Sequence, residues 1–182
     1  MDKQSARKAA KARLLALTDE QKRAYCNKIM SLLRVRLCDE SIKTAFIYMS
    51  ADNEPDTKAL IAGFMNNGVG VFVPITDGDE ISLVEIDKGT TFTKGRFGIF
   101  EADGCKGIKK FDADVNIIPL VAFDKTRNRC GHGKGYYDKY LAKASGLTVA
   151  LAFSAQEVES VECADHDIKP DIIITEKGII EG

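Results

Sequence analysis

The chain lacks the features that mark membrane-spanning, secreted and zinc-binding proteins. Its 182 residues contain no apolar run long enough to cross a bilayer, and the first seven residues lack the apolar core of a signal peptide. Five cysteines are scattered without a Cys-x-x-Cys spacing, and His132 and His166 do not have the spacing of metal ligands. An odd number of scattered cysteines favours reduced thiols. We therefore predict a cytoplasmic protein without a membrane partner.

Positive charge is concentrated near the start of the chain. Residues 1–36 contain ten Lys or Arg and three Asp or Glu, whereas the remainder is acidic and the whole chain has a net charge of −1. A basic arm can bind nucleic acid, but this one has no aromatic residue before Tyr25, and the isoelectric point of about 6.2 is unlike that of a nucleic-acid-binding domain. We therefore predict no nucleic-acid partner. The charges are assigned to two amphipathic helices, with a few of them turned towards a ligand.

Hydrophobic periodicity predicts alternating helices and strands. Predicted helices cover residues 2–16, a segment that begins at the capping box Thr18-Asp19-Glu20-Gln21, a segment from Asp56 or Thr57 to Gly68, and residues 136–145. Predicted strands cover residues 43–49, 69–75, 81–86, 115–123, 147–153 and 171–175, and residues 88–112 are predicted to form one long loop. This alternation is typical of the α/β class, with a mostly parallel central sheet and helices on both faces in three α/β/α layers.

No feature of the sequence divides the alternating helices and strands into separate domains. We find no internal repeat, low-complexity stretch or linker, so residues 1–182 are predicted to form a single domain, which we expect to be monomeric. In open α/β sheets, ligands bind beyond the carboxyl ends of the strands. Glu54 follows the first predicted strand, and residues 131–135 follow a later one, so the two are expected to lie close together.

The most informative segment is a glycine-rich string from Arg127 to Asp138, which reads Arg-Asn-Arg-Cys-Gly-His-Gly-Lys-Gly-Tyr-Tyr-Asp. It lies between a predicted buried strand and a predicted helix, where glycines let backbone N–H groups approach an anion. Arg129 and Lys134 would supply charge for phosphate, and Asp138 could hold a metal ion that travels with a nucleotide. A tight turn with solvated basic residues is the simpler alternative. We predict a polyphosphate site.

Two common phosphate motifs are excluded for this segment. It does not match Gly-x-x-x-x-Gly-Lys-[Ser/Thr], which excludes the P-loop. It does not match Gly-x-Gly-x-x-Gly either, because the third glycine comes one residue early, and the late position in the chain argues against a dinucleotide-binding fold.

The same residues carry a resemblance to a known family. The string Arg129-x-Gly131-x-Gly133-Lys134-Gly135-Tyr136-Tyr137-Asp138 resembles the signature of the 5-formyltetrahydrofolate cyclo-ligases, also called methenyltetrahydrofolate synthetases. Further similarity lies in Lys3-x-x-x-Arg7, Glu54-Pro55-Asp56-Thr57, Phe97-Gly98-Ile99-Phe100-Glu101, Pro119-Leu120-Val121-Ala122-Phe123-Asp124, His166-Asp167 and Asp171-Ile172-Ile173-Ile174-Thr175. The resemblance implies an ATP-dependent ligase that converts 5-formyltetrahydrofolate to 5,10-methenyltetrahydrofolate, with Mg²⁺ as cofactor and ATP as co-substrate.

The resemblance also implies roles for individual residues. It implies catalytic roles for Arg129, Lys134 and Tyr137, and Mg²⁺ binding by Asp138 and Asp167. The implied ATP-binding set is Lys3, Arg7, Arg129, Cys130, Gly131, His132, Gly133, Lys134, Gly135, Tyr136 and Tyr137. The implied substrate-binding set is Met49, Glu54, Phe97 and Tyr136, with the Glu54 carboxylate bonded to pterin N–H groups and Phe97 stacked on the substrate.

Several of these residues have simpler alternative roles. Lys3 and Arg7, four residues apart on one helix face, could be solvated cations. Glu54 could be an ordinary loop carboxylate, Phe97 an anchor of the long loop, and Asp167 or Asp171 the cap of a turn or strand.

The chemistry of the string leaves further choices. Cys130 is either a thiol of lowered pKa in a basic loop or a small filler residue, and we favour the filler. His132 is also predicted to face water. Tyr136 and Tyr137 are expected to support the loop or contact ligands rather than act as bases, because an unperturbed phenol stays protonated at neutral pH.

Two other functions stay open from the sequence. The chain could be another α/β enzyme that uses a nucleotide or a sugar phosphate. It could also be a non-catalytic relative that binds ATP or folate without turnover.

Overall fold

The computed structural model describes residues 1–38, 40–78, 80–95, 100–104, 107–108 and 112–182. Its helices are α1 (Lys3–Leu15), α2 (Asp19–Leu37), α3 (Lys58–Asn66) and α4 (Tyr136–Leu141), with a short 3₁₀ helix at Ser154–Gln156. Its strands are β1 (Thr44–Ile47), β2 (Gly70–Asp77), β3 (Glu80–Ile86), β4 (Phe92–Lys94), β5 (Phe100–Ala102), β6 (Asp112–Pro119), β7 (Ala122–Phe123), β8 (Arg129–Cys130), β9 (Ser145–Leu151), β10 (Ile172–Thr175) and β11 (Gly178–Glu181).

Seven strands form the central sheet, in the order β11-β10-β9-β6-β1-β2-β3. The five inner strands are parallel, whereas the edge strands β3 and β11 run antiparallel to their neighbours. From β1 the chain moves through α3 to β2 on one side, and from β6 it moves through α4 to β9 on the other. The strand order therefore reverses between β1 and β6, which is where sheets of this kind bind ligands. The predicted α/β class with a mostly parallel sheet is confirmed.

Different elements cover the two faces of the sheet. Helices α2 and α3 bury apolar side chains such as Leu33 and Ile61 against one face, in the same cluster as Ile47 of β1. On the other face, α4 contributes Tyr140, whose ring lies 4.5 Å from that of Phe46. Neighbouring strand residues such as Phe46 and Ile47 point to opposite faces, because successive side chains alternate along a strand.

Helix α1 packs on the small β7–β8 hairpin and on the 3₁₀ helix, and of its buried residues only Leu14 joins the core cluster of the central sheet. Ala6 and Ala10 are fully buried there, in a cluster with Ala122 and Cys130. Alanines leave room for the helix backbone to come close to the hairpin. The helix begins at Asp2, whose side chain accepts hydrogen bonds from the backbone N–H groups of the first turn.

The capping box that the sequence predicts at the start of α2 is confirmed. The backbone N–H of Gln21 donates to Thr18 Oγ1 at 3.1 Å, and the Thr18 N–H donates to Gln21 Oε1 at 2.9 Å. None of the helices within the described residues has both the length and the apolarity that crossing a membrane requires.

The predicted long loop over residues 88–112 is wrong in part. Strands β4 and β5 form an antiparallel pair within it, and Ile108 pairs with Leu83 of the central sheet. The predicted strand 115–123 is two strands, because the chain leaves the sheet after Pro119 and begins β7 at Ala122. Helix α4 ends at Leu141, and β9 already begins at Ser145. Strands β4, β5 and β8 have only two or three residues, which is too few to show periodicity. Strand β11 was also missed, because it has only two apolar residues, between Gly178 and Glu181.

Candidate active site

A cavity of about 940 Å³ opens at the carboxyl ends of β1 and β6. Met49 follows β1 and Leu120 follows β6, so the cavity lies at the point where the strand order reverses. Its cationic wall comes from α1, β8 and the segment before α4. The members of that wall are Lys3, Arg7, Arg129, Cys130, Gly131, His132, Gly133, Lys134, Gly135, Tyr136, Tyr137 and Asp138. The structure thus brings together every residue that the sequence assigned to ATP.

Residues 131–135, here called the glycine loop, follow the β7–β8 hairpin instead of the buried strand β6. Gly133 has φ 101° and Gly135 has φ 66°, which are left-handed conformations that favour glycine. A Cβ atom on Gly133 would also stand 3.5 Å from the guanidinium of Arg7. Helix α4 has only six residues, so its dipole would add little to the binding of an anion, and the predicted phosphate site depends mainly on the backbone N–H groups of the loop.

Lys3 and Arg7 of α1 have different partners at the cavity. Arg7 Nε donates to the carbonyl of Gly131 at 2.7 Å, and Lys3 Nζ lies 2.5 Å from both carboxylate oxygens of Asp167. Because each side chain already has a protein partner, neither is a freely solvated cation. Both still line the cavity, which keeps the predicted phosphate contact open to them.

Arg129 is buried, with 4% of the residue exposed. Its Nη2 donates to Asp138 Oδ1 at 2.8 Å, and its Nε donates to the carbonyl of Ile168 at 3.1 Å. The N–H of Ile168 donates to the same carboxylate oxygen at 3.2 Å. Arg129 therefore joins the start of α4 to Ile168 in the segment before β10. The sequence also predicts a phosphate contact for Arg129.

Asp138 and Asp167 offer a restricted donor set for Mg²⁺. Both line the cavity, and carboxylate oxygens suit this ion, which usually takes one or two protein carboxylates and completes its shell with water and phosphate. Oδ2 of Asp138 accepts no hydrogen bond from the described residues, so it fits a metal ion. Asp167 fits only if Lys3 moves away. No group of three potential metal ligands occurs among the residues that the structure describes. Their assignment to Mg²⁺ stays a prediction.

Residues 50–57, here called the acidic loop, place Glu54 beside the glycine loop. Glu54 Oε2 accepts from the backbone N–H of Ala51 at 2.9 Å, and Oε1 lies 3.3 Å from His132 Nε2. The expected proximity of Glu54 to residues 131–135 is confirmed. The expectation that His132 only faces water is wrong in part, because its ring is 72% exposed yet contacts Glu54.

The tyrosines of the string are not placed to act as bases. Burial raises the pKa of the Tyr137 phenol, the nearby Glu54 carboxylate raises it further, and its ring packs against Phe46. Tyr137 therefore stays protonated at neutral pH, and its hydroxyl can bond to a ligand but does not act as a base. Tyr136 donates to the carbonyl of Gly78 at 3.3 Å, and its ring lies 5.7 Å from Lys134 Nζ.

Cys130 is a filler residue. It is 1% exposed, packs against Ala6 and Ala10 of α1, and burial raises the pKa of its thiol. The alternative of a reactive thiol with a lowered pKa is therefore wrong, since burial outweighs the nearby positive charge of Arg7.

Only some of the residues predicted to bind the substrate can be located in the structure. Met49 lines the cavity beside Ala51, whereas Phe97 lies outside the described residues. A further wall comes from β2, β3 and β5 and was not predicted, although Glu101 lies in a segment that carries the family resemblance. Its members are Pro74, Ile75, Thr76, Ile81 and Glu101. They belong to three separate strands, so only the folded sheet and hairpin bring them together.

The fold and the cavity define an α/β protein whose ligand cavity at the sheet's reversal point is lined by a cationic glycine loop. The model of the 5-formyltetrahydrofolate cyclo-ligase family matches residues 1–176. Among curated relatives, the chain is 26% identical over 193 residues to the mouse 5-formyltetrahydrofolate cyclo-ligase, covering 96% of this chain and 93% of the relative.

Two solved structures are similar over nearly the whole chain. The 5,10-methenyltetrahydrofolate synthetase of Aquifex aeolicus superposes with a TM-score of 0.85 at 30% identity, covering 98% of this chain and 91% of that one. The synthetase of Mycoplasma pneumoniae superposes with a TM-score of 0.76 at 26% identity, covering 97% and 99%. The chain belongs to the 5-formyltetrahydrofolate cyclo-ligase family, which confirms the resemblance and the ligase class.

Proposed function

We propose that the chain catalyses the ATP-dependent cyclisation of 5-formyltetrahydrofolate to 5,10-methenyltetrahydrofolate, with release of ADP and phosphate. The observation that carries this proposal is the contact between Glu54 and His132 at 3.3 Å. It places a carboxylate suited to the pterin edge next to a cationic loop suited to phosphates, within one cavity of about 940 Å³.

The need for ATP follows from the chemistry of the formyl group. The formyl oxygen would have to leave as hydroxide, which is a poor leaving group. Transfer of the γ-phosphoryl group to that oxygen breaks the bond to ADP and gives an iminium phosphate. The N10 amine then attacks the formyl carbon, phosphate departs with the oxygen, and the proton of N10 passes to solvent.

Phosphoryl transfer asks the protein mainly for positioning and charge neutralisation. In our proposal, the N–H groups of the glycine loop and the cations of Lys134 and Arg7 hold the phosphates. Arg129 keeps the loop in register with α4 through its bond to Asp138, and its charge lies in the same cavity wall. Tyr137 donates a hydrogen bond to a ligand and does not take a proton.

The remaining assignments complete the site. Glu54 accepts from the pterin N–H groups, and Met49 and Tyr136 provide the apolar surface next to it. Asp138, and Asp167 after release from Lys3, would hold Mg²⁺ when the nucleotide brings it, and the ion would supply charge neutralisation at the phosphates. We also propose a monomeric, cytoplasmic enzyme whose partners are small molecules. The free thiols of Cys26, Cys38, Cys130 and Cys163 support that location.

An absorbance assay tests the activity. The methenyl product carries a conjugated amidinium chromophore that the formyl substrate lacks. Purified protein with ATP, Mg²⁺ and 5-formyltetrahydrofolate should generate this chromophore and ADP in equal amounts. A flat trace at several pH values with folded protein would refute the cyclo-ligase assignment, and binding of both ligands without turnover would indicate a non-catalytic relative.

Calorimetric titration tests the division of the site. Glu54→Gln should weaken folate binding and spare ATP, because the amide presents a donor to the pterin N–H groups. Asp138→Asn should weaken Mg²⁺–ATP and raise the Mg²⁺ concentration needed for half-maximal rate. Since Asp138 also pairs with Arg129, a melting temperature must accompany the second variant. Loss of nucleotide binding in Glu54→Gln with folate retained would instead assign the acidic loop to the metal.

A further inference from the structure

A hydrogen bond between His132 and Glu54 joins the two loops. Each of its two atoms could instead bond to a ligand. Glu54 Oε2 is occupied by the N–H of Ala51, so Oε1 is the oxygen left for the pterin edge. That same Oε1 is the atom that His132 Nε2 contacts at 3.3 Å. A carboxylate oxygen only accepts, so Nε2 carries the proton in this contact. The Glu54 side chain is 10% exposed, which leaves little room for two donors to approach it at once.

The imidazole of His132 is free to turn elsewhere. Its ring is 72% exposed, and it makes no other hydrogen bond within the described part of the chain. His132 also stands between Gly131 and Gly133, and Gly133 has φ 101°, so a small backbone rotation can redirect the side chain at low cost. The loop in which it lies is the proposed phosphate site, and the triphosphate of ATP carries more negative charge than the single carboxylate of Glu54.

We propose that His132 is a positioning residue that exchanges partners: it bonds to Glu54 in the free protein and to a phosphate when ATP is bound. The exchange frees Glu54 Oε1 for the pterin, so ATP tightens folate binding, and folate tightens ATP binding by the same factor. This inference rests on the proposed function, because it assigns phosphates to the glycine loop and the pterin to Glu54.

The test measures folate affinity with and without nucleotide. Calorimetric titration of 5-formyltetrahydrofolate is run alone and with a saturating β,γ-imido analogue of ATP, which prevents turnover. Wild-type protein should bind folate at least about fivefold more tightly with the analogue. His132→Ala should show one folate Kd under both conditions, close to the tighter wild-type value, because the competitor for Glu54 is gone. A merely structural loss would weaken both Kd values.

His166→Ala is the matched control. His166 also lines the cavity and is 79% exposed, but it lies beside Asp167 instead of Glu54, so this variant should keep the wild-type ratio of Kd values. A His132→Ala protein that keeps the ratio, or that binds folate more weakly than wild type without nucleotide, overturns the exchange. Wild-type protein that binds both ligands independently overturns it while the proposed function stands. Wild-type protein that binds neither ligand overturns both.

Discussion

The acidic loop and the glycine loop line the same cavity but are held in place by different kinds of contact. In the acidic loop several of the contacts are local. Tyr48 donates to the carbonyl of Pro55 at 2.6 Å, Thr57 Oγ1 donates to the carbonyl of Tyr48 at 2.7 Å, and Glu54 bonds to Ala51. These bonds span at most nine residues of sequence. The shape of this loop is therefore set largely by these short-range bonds. Two bonds to α2 add support, because Lys22 donates to Asn53 and the Asp56 N–H donates to Cys26 Sγ.

The glycine loop depends on distant parts of the chain. Arg7 reaches Gly131 across 124 residues, His132 meets Glu54 across 78, and Arg129 holds Ile168 across 39. A loop rich in glycine has few side chains that can bond within the loop. Its conformation therefore depends on contacts from α1 and from the segment before β10. Substitutions at its supports should consequently change both stability and nucleotide binding, whereas substitutions in the acidic loop should act on stability and folate alone.

The largest effect is expected for Arg129→Ala. Removing one member of a buried ion pair costs about 3–5 kcal/mol, because the carboxylate of Asp138 loses its compensating charge. We expect a clear fall in the free energy of unfolding, measured with urea, together with a loss of ATP affinity. Arg13→Ala is the control, since Arg13 also donates to two backbone carbonyls but is exposed and lies outside the cavity. Equal stability of the two variants would show that the ion pair does not support the loop.

Lys134→Ala should separate binding from stability. Lys134 is exposed, so its loss should leave the melting temperature almost unchanged. Loss of a charge-assisted contact to phosphate costs about 1.5–3 kcal/mol, or roughly ten- to a hundredfold in ATP affinity. Exposed Lys8 of α1 provides the control in Lys8→Ala, which should bind ATP normally. Unchanged ATP affinity in Lys134→Ala would mean that the loop is a turn and not a phosphate cradle.

Tyr48→Phe tests the independence of the acidic loop. The variant leaves the buried carbonyl of Pro55 without its donor, at a cost of about 1–2 kcal/mol. Folate affinity should fall with stability while ATP affinity stays at the wild-type value. Tyr25→Phe is the control, because the Tyr25 ring packs against Phe153 and its hydroxyl makes no hydrogen bond to the described residues. A parallel loss of ATP affinity would contradict the separation of the two loops.

The smallest expected effect is a dependence of stability on pH at the turn of the β7–β8 hairpin. Burial alone would raise the pKa of Asp124, but donors from Thr126, Val161 and Asn128 together lower it. A lowered folded-state pKa stabilises the fold above the unfolded pKa near 3.9, and that contribution is lost as pH falls through the folded pKa.

Urea denaturation of Asp124→Asn at pH 7 and near pH 3 provides the measurement. The variant should be less stable than wild type at pH 7, and the gap should narrow near pH 3. Asp165→Asn, at an exposed aspartate, is the control and should show no such gap. A gap that stays constant with pH would show that the Asp124 charge is not the source of the stabilisation.

The sequence was sufficient for the parallel core and insufficient for the short pairings. The segments of β6 and β10 are rich in β-branched residues, so the local sequence alone identifies them as strands. The β7–β8 hairpin has two residues in each strand and depends on its contact with α1, which no local pattern contains. That hairpin also sets the position of the glycine loop, which directly follows β8. The residues of the loop could therefore be identified from the sequence, but their geometry could not.

The same distinction applies within the site. The acidic loop follows β1, and the β7–β8 hairpin that leads to the glycine loop follows β6, whose carboxyl end is next to that of β1. The proximity of Glu54 to the glycine loop therefore follows from topology. The pairing of Arg129 with Asp138 does not, since either residue could equally face a ligand and only the folded position of Ile168 fixes the arginine. Strand residues of the far wall such as Thr76 and Ile81 could not be predicted as part of the site, because different strands supply them and no local pattern marks them.

The position of α1 has a consequence for the synthesis of the protein. Lys3 and its partner Asp167 are 164 residues apart, and translation adds about 5–20 residues per second, so roughly ten to thirty seconds separate their appearance. Until the β7–β8 hairpin has been synthesised, Ala6 and Ala10 of α1 have no hairpin to pack against. Over that period the helix is exposed to solvent or bound by a chaperone. The cavity can form only after the last third of the chain has left the ribosome, which makes a completed site a sign of completed synthesis.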